Sequence, residues 1–227
     1  MLQKLYLLRH GETEWSRSGQ HTGLTDIALT ALGEAEAREL TQRLRGVSFA
    51  HVLTSPLQRA RRTCELVALK PVIEIEPNLV EWNYGDYEGQ CSEDILQTQP
   101  GWDIFQNGGP HGESPAQVSD RADHLIAHLH TLKGNVAVFT HGHFGRALAV
   151  RWIGLPVSEG RHFLLGTASL SILSYDPHHP QVRVIALWNA NSPVSFESET
   201  KRAVERWENE GGVIREKELP LENGQPR

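Results

Sequence analysis

Two histidines stand in the same local setting. Tyr6-Leu7-Leu8-Arg9-His10-Gly11 is an apolar run ending in His-Gly, and Val136-Ala137-Val138-Phe139-Thr140-His141-Gly142 is another. Short apolar runs read as buried strands, so each imidazole falls at the carboxyl end of a strand. The glycine that follows lets the backbone turn sharply. If the two strands are neighbours, the imidazoles face one another across one cleft. A third run ends in Thr54-Ser55-Pro56, and the helix after it carries Arg59, Arg61 and Arg62. A helix N-terminus favours an anion, and Arg9 and Arg59 can each grip a phosphate through planar two-point contacts. Two histidines and two arginines on one site make a phosphate pocket with a nucleophile in it.

An imidazole attacks phosphorus through an unprotonated ring nitrogen. A group with an ordinary pKa of about 6.5 offers one near neutrality. The departing alkoxide needs a proton, hence a general acid. Glu81 is the candidate: it lies in Leu79-Val80-Glu81-Trp82-Asn83-Tyr84-Gly85, just after a third short strand and beside aromatics. An apolar neighbourhood raises a carboxyl pKa and keeps it protonated. Glu12, on the loop after His10, competes as a supporting polar group. His141-x-His143 has the spacing of a metal pair, but no acidic or histidine partners are placed to complete a shell. Neither a metal nor another cofactor is expected.

These residues need a scaffold, and the rest of the chain supplies one. The apolar runs Leu5–Leu8, Phe49–Thr54, Val72–Ile75 and Val136–Phe139 read as strands. Between them come helical patterns: one capped by Thr30 and ended by Gly46, one with Pro56 in its first turn and reaching Ala68, one from Ser114 to Leu132, and one from His143 to Ile153. Gly11 to Leu29 reads as a loop. Pro77 to Gly112 reads as a long connection rich in aromatics, and such connections are often functional. Leu170–Tyr175 and Val182–Leu187, joined by Asp-Pro-His-His-Pro, form a hairpin at a sheet edge. Strands alternating with helices imply a three-layer α/β/α fold with a mostly parallel central sheet. In such sheets ligands collect beyond the carboxyl ends of the strands.

The expected organisation is one domain over 1–195 and a charged extension over 196–227, with a short helix around Glu199 to Asn209. The formal net charge of −6 gives a nucleic-acid partner no support. No apolar stretch approaches the roughly 20 residues of a membrane span. The N-terminal run is too short for a cleavable signal peptide, so a cytoplasmic location is expected. The two cysteines, Cys64 and Cys91, make no disulfide framework.

At this point the motifs resemble a known family. Arg9-His10-Gly11-Glu12-Thr13 is similar to the RHG signature of the histidine phosphatase, or phosphoglycerate-mutase-like, superfamily. Leu29-Thr30-x-x-Gly33, Thr54-Ser55-Pro56-Leu57-Gln58-Arg59-Ala60, Glu81 with Gly85-Asp86-Tyr87-Glu88-Gly89, and His141-Gly142-His143-Phe144-Gly145-Arg146 resemble its further motifs, in the same order. The resemblance implies His10 as the phosphorylated nucleophile. It implies Arg9, Arg59 and His141 around the phosphoryl group and Glu81 as proton donor, then base. Such chemistry needs no metal, because cationic side chains can stabilise the transferring group.

A narrower resemblance, in the loop from Trp15 to Asp26 and in Asn107-Gly108 with Gly112-Glu113-Ser114, is to the branch that includes fungal sedoheptulose-1,7-bisphosphatase. It implies Ser16, Thr22, Gly23, Tyr84 and Arg146 as substrate contacts. This chain is shorter between Glu81 and His141 than members of that branch. The expected function is hydrolysis of a small phosphate ester, a sugar phosphate or bisphosphate, through a phosphohistidine. The alternatives are a phosphoglycerate-type mutase and a non-catalytic module that binds a phosphate ligand. The expected partner is the small-molecule substrate alone, with a homodimer left open.

Overall fold

The computed structural model describes residues 2–191. The helix expected around Glu199 to Asn209 and the extension over 196–227 lie outside them. In chain order the elements are β1 (Leu2–Arg9), α1 (Glu14–Ser18), α2 (Ala31–Arg43), β2 (His51–Thr54), α3 (Gln58–Val67) and β3 (Ile73–Ile75). Then come α4 (Ser92–Thr98), α5 (Ile104–Asn107), α6 (Pro115–Thr131), β4 (Gly134–Thr140), α7 (Gly142–Trp152), β5 (Leu170–Tyr175) and β6 (Arg183–Ala190). Short 3-10 turns stand at Pro77–Leu79, Gly85–Tyr87 and Val157–His162.

The six strands form one sheet in the order β3-β2-β4-β1-β5-β6. β3, β2, β4 and β1 run parallel, and β5 runs the other way, antiparallel to both β1 and β6. The fold is the expected α/β class with a mostly parallel sheet and the edge hairpin. Side chains along a strand alternate between faces, and that alternation splits the core in two. Leu5, Leu7, Val136 and Val138 face a cluster with Leu125, Leu129, Phe144 and Trp152 of α6 and α7. Tyr6, Leu8, Ala137 and Phe139 face one with Leu40 of α2 and Cys64 and Val67 of α3. Both faces are apolar because both are covered, so the central strands read as unbroken apolar runs.

Thr30 caps α2 through its hydroxyl on Gly33 N (3.0 Å), and Ser114 forms a capping box with Gln117 ahead of α6. The chain leaving β1 passes directly over the first turn of α2. A Cβ on Gly33 would stand 2.1 Å from the carbonyl oxygen of Glu12, and one on Gly11 would stand 2.2 Å from that of Gly33. Only glycine at both positions allows the approach.

Three expectations change. The loop from Gly11 to Leu29 holds a short helix, α1, built on reciprocal bonds between Thr13 and Ser16. Pro56 lies ahead of α3, which begins at Gln58. The segment from Pro77 to Gly112 is no open loop: it contains two 3-10 turns and two short helices, and Trp82, Tyr84, Trp102 and Phe105 are buried in the core.

Candidate active site

β1 and β4 are paired in parallel so that Arg9 lies opposite Thr140. The next residue of each strand is a histidine, and His10 N donates to Thr140 O (3.0 Å). The two imidazoles lie 5.2 Å apart between ring centroids, both buried. On the other side of β4, β2 ends at Thr54, and Ser55 N donates to Phe139 O (3.0 Å). Three neighbouring strand ends thus bring His10, His141 and Ser55 together.

The hydrogen bonds fix the state of both rings. His10 Nδ1 lies 2.7 Å from Gly11 O. A carbonyl only accepts, so Nδ1 carries the proton and Nε2 keeps its lone pair. Burial holds the His10 pKa well below the usual 6.5; the charges of Arg59 and Arg9 push the same way, against a smaller pull from the Gly11 carbonyl. Arg59 Nε donates to His141 Nδ1 (3.1 Å), so this ring is protonated at Nε2, which donates to Ser55 Oγ (2.8 Å). Burial, then Arg59, His10 and Arg9, keep the His141 pKa well below 6.5 as well. Both rings are neutral at pH 7.

Arg59 has no exposed surface. Besides His141, it binds the loop after α1: Nη1 donates to Thr25 O (2.9 Å), and Nη2 donates to Thr22 O (3.1 Å) and Gly23 O (2.7 Å). Burial lowers its pKa to about 10, which leaves it charged at neutrality. Glu88 closes the loop from the far side, accepting from Gly23 N (2.8 Å) and Thr25 N (3.1 Å). Gly23 is hemmed in: a Cβ there would come within 2.6 Å of Trp82 O. Arg59 and Gly23 therefore shape the loop from behind. The N-terminus of α3 faces elsewhere, since Gln58 N is taken by Asp26 Oδ1 (2.7 Å).

Glu81 is buried, and its carboxyl accepts three amide hydrogens: Trp82 N (2.8 Å) and Phe144 N (2.6 Å) on Oε1, and His143 N (2.9 Å) on Oε2. Two of these amides belong to the first turn of α7, whose N-terminal dipole favours negative charge. Burial outweighs them, and the Glu81 pKa is raised above the ordinary carboxyl value; the three amides and Arg59 oppose it.

One cleft gathers these groups. It encloses about 320 Å³, its open mouth included, and is lined by Arg9, His10, Ser16, Gln20, His21, Thr22, Glu81, Tyr84, Gly142 and His143. Of the residues singled out in the sequence, Arg9, His10, Glu81, Ser16, Thr22 and Tyr84 line it. His141 stands beside His10, and Arg59 and Gly23 stand behind the loop. Arg9 also donates to Leu165 O. Arg146 is elsewhere: it is buried, donates from Nε to Gly160 O (3.0 Å) and lies over the Phe105 ring at 4.5 Å.

The sequence alone assigns His21 no role in the site and weighs His143 only as half of a metal pair. The Tyr84 hydroxyl is hydrogen-bonded to His143 Nδ1, and the His21 ring stacks on Tyr84 at 4.7 Å and reaches Ser92 Oγ (3.2 Å) through Nε2. The available signals were adjacency alone, His21 before Thr22 and His143 two residues past His141. Among the described residues, no group of three or more His, Cys, Asp or Glu is arranged to hold a metal ion. Cys64 and Cys91 are free thiols, and burial pushes Cys64 up to about 12, which makes it a poor nucleophile.

Comparison with known proteins gives the family of the chain. Residues 5–189 match the family described as the histidine phosphatase superfamily (branch 1). The chain is 40% identical over 197 residues to an acid phosphatase of Mycobacterium tuberculosis, covering 85% of this chain and 96% of that protein. It is 34% identical over 186 residues to the sedoheptulose 1,7-bisphosphatase of Saccharomyces cerevisiae, covering 67% of this chain and 68% of that one. The solved structure of the open reading frame Rv3214 from Mycobacterium tuberculosis superposes with a TM-score of 0.75 at 38% identity, over 83% of this chain and 98% of that one.

Proposed function

The chain belongs to the histidine phosphatase superfamily and is a phosphatase of that family, and from that premise we propose that it hydrolyses a small sugar phosphate or bisphosphate through a phosphohistidine on His10. The observation that carries the reading is the fixed tautomer of His10 in a cleft shared with Glu81 and Arg9. His10 Nε2 attacks phosphorus, an N–P bond forms and the P–O bond to the alcohol breaks. Glu81 gives its proton to the leaving oxygen. Water then enters from the same side and loses a proton to Glu81. The new O–P bond forms as the N–P bond breaks, and phosphate departs with both groups reset.

Arg9 supplies positive charge at the cleft, and Arg59 acts on the phosphoryl site through His141 and the loop it holds. His141 flanks the nucleophile as a neutral ring. The preference for a hydroxylated alcohol is supported by the rest of the lining. Ser16, Gln20, Thr22 and Tyr84 offer hydroxyl and amide groups, and His21 and His143 offer imidazoles, all suited to neutral hydroxyls.

The test is phosphate release by the purified protein from a panel of sugar phosphates, sugar bisphosphates, phosphoglycerates and p-nitrophenyl phosphate, with His10→Ala alongside. Release from a sugar ester that disappears in the variant is the expected result. Interconversion of phosphoglycerates with little free phosphate would instead make the protein a mutase. Full turnover by His10→Ala would end the mechanism.

A further inference from the structure

Glu81 sits on chain that has no helix or strand ladder of its own. After the 3-10 turn at Pro77–Leu79 the backbone is extended, with Val80 at φ −60° and ψ 158°. Carbonyls in such a segment must find partners elsewhere. Arg121, on α6, provides most of them. Its Nη1 donates to Asn78 O (2.9 Å) and Val80 O (2.8 Å), and its Nη2 donates to Glu81 O (3.3 Å) and Glu113 Oε2 (2.8 Å). Nε donates to Glu113 Oε1 (2.8 Å). A guanidinium has five N–H groups, and all five are engaged.

Glu113 continues the grip beyond Glu81. Its Oε2 also accepts from Asn83 N (2.9 Å), its backbone N donates to Asn83 O (2.8 Å), and its carbonyl accepts from Trp82 Nε1 (2.8 Å). The Arg121 guanidinium further lies 4.1 Å over the ring of Phe144, the residue whose amide holds Glu81 Oε1. Exposed ion pairs contribute little, but these two side chains are only 12% and 21% exposed, and their bonds fall on both sides of one residue.

We propose that Arg121, fixed by Glu113, is the positioning residue for Glu81. The clamp sets the depth at which the Glu81 carboxyl enters the cleft and so the distance its proton must travel to the leaving oxygen. It acts on proton donation and not on the nucleophile, which stands at the end of β1. The inference rests on Glu81 being the general acid, as argued above.

A poor leaving group needs a proton in the transition state, whereas p-nitrophenolate leaves without one. The ratio of kcat/KM for an alkyl ester such as glycerol phosphate to that for p-nitrophenyl phosphate therefore isolates the acid, because kcat/KM reports only through the first irreversible step. We would measure it for the full-length protein and for Glu81→Gln, Arg121→Gln and Glu113→Gln. The expected result for both clamp variants is a loss of about 10- to 100-fold on the alkyl ester, as for a misplaced catalytic group, with less than about threefold on the aryl ester.

Equal losses on both esters would make the clamp merely structural and overturn the proposal, as would no loss on either. If Arg121→Gln does not fold, Glu113→Gln decides alone, since it keeps the side-chain shape. A Glu81→Gln variant that loses both esters equally would sink the acid assignment and the clamp with it. Selectivity in Glu81→Gln without selectivity in the clamp variants would sink the clamp alone.

Discussion

His10 Nδ1 is hydrogen-bonded to the carbonyl oxygen of the very next residue, Gly11, at 2.7 Å. That contact leaves only one ring nitrogen able to attack. The phosphoenzyme trapped by alkaline denaturation of a turning-over sample is therefore expected to carry its phosphoryl group on Nε2. Phosphorus NMR or fragmentation of the isolated phosphopeptide distinguishes the two isomers, and the Nδ1 isomer would mean that the ring turns over before it reacts.

Catalysis requires His10 neutral and Glu81 protonated at the same time. Burial and the two arginines lower the His10 pKa well below 6.5, so the nucleophile survives as pH falls through the usual histidine range. Burial raises the Glu81 pKa above 4.5, so the acid survives as pH rises through the usual carboxyl range. The acidic limb moves down, the alkaline limb moves up, and kcat/KM should trace a bell on the acid side of neutrality. Glu81→Gln should abolish the alkaline limb. A wild-type profile still rising above neutrality would remove Glu81 as the titrating acid.

Arg59→Gln removes a cation that holds His141 and three loop carbonyls at once. Each buried carbonyl left without a donor is costly, so the variant should lose at least about 3 kcal/mol of stability. With His141 and the loop both released, kcat/KM should fall about 100-fold. Denaturant unfolding and steady-state kinetics measure the two effects. Unchanged stability would mean that the loop is held by other contacts.

Gly33→Ala should destabilise the fold by about 2–3 kcal/mol, because the added methyl meets the Glu12 carbonyl head-on and backbone must move. For a chain of this length that corresponds to a melting temperature lower by roughly 5–10 °C. Thermal denaturation followed by circular dichroism checks it.

Much of this was legible in the residues themselves. Leu5–Leu8 and Val136–Phe139 carry an apolar signal on both faces, as strands covered on both sides require, and the His-Gly at each end marks where a loop must begin. Thr30 and Ser114 are caps whose chemistry is local. What was not legible depends on partners distant in sequence. Arg59 read as a phosphate ligand on a helix, and nothing in that helix announces its partners, the His141 ring and the carbonyls of a loop ahead of it. The N-terminus of α3 read as an anion site, and Asp26 occupies it. The stretch from Pro77 to Gly112 has no periodicity because side chains such as Arg121, Glu113 and Asp103 satisfy its backbone. α1 has only five residues and a cap that uses serine where glutamate is usual.

β1 lies between β4 and β5, both of which follow it in the chain by more than a hundred residues. During synthesis on the ribosome its leucines wait, unpaired on both edges, until most of the chain has emerged. The nucleophile is thus translated well before its neighbours, and it cannot be armed until the partners at Thr140 and Ala168 arrive. No nascent or prematurely terminated chain that stops before them can carry the activity. The long-range pairing also makes a slow folding step and a demand for chaperone protection of the N-terminal strand natural consequences of the strand order.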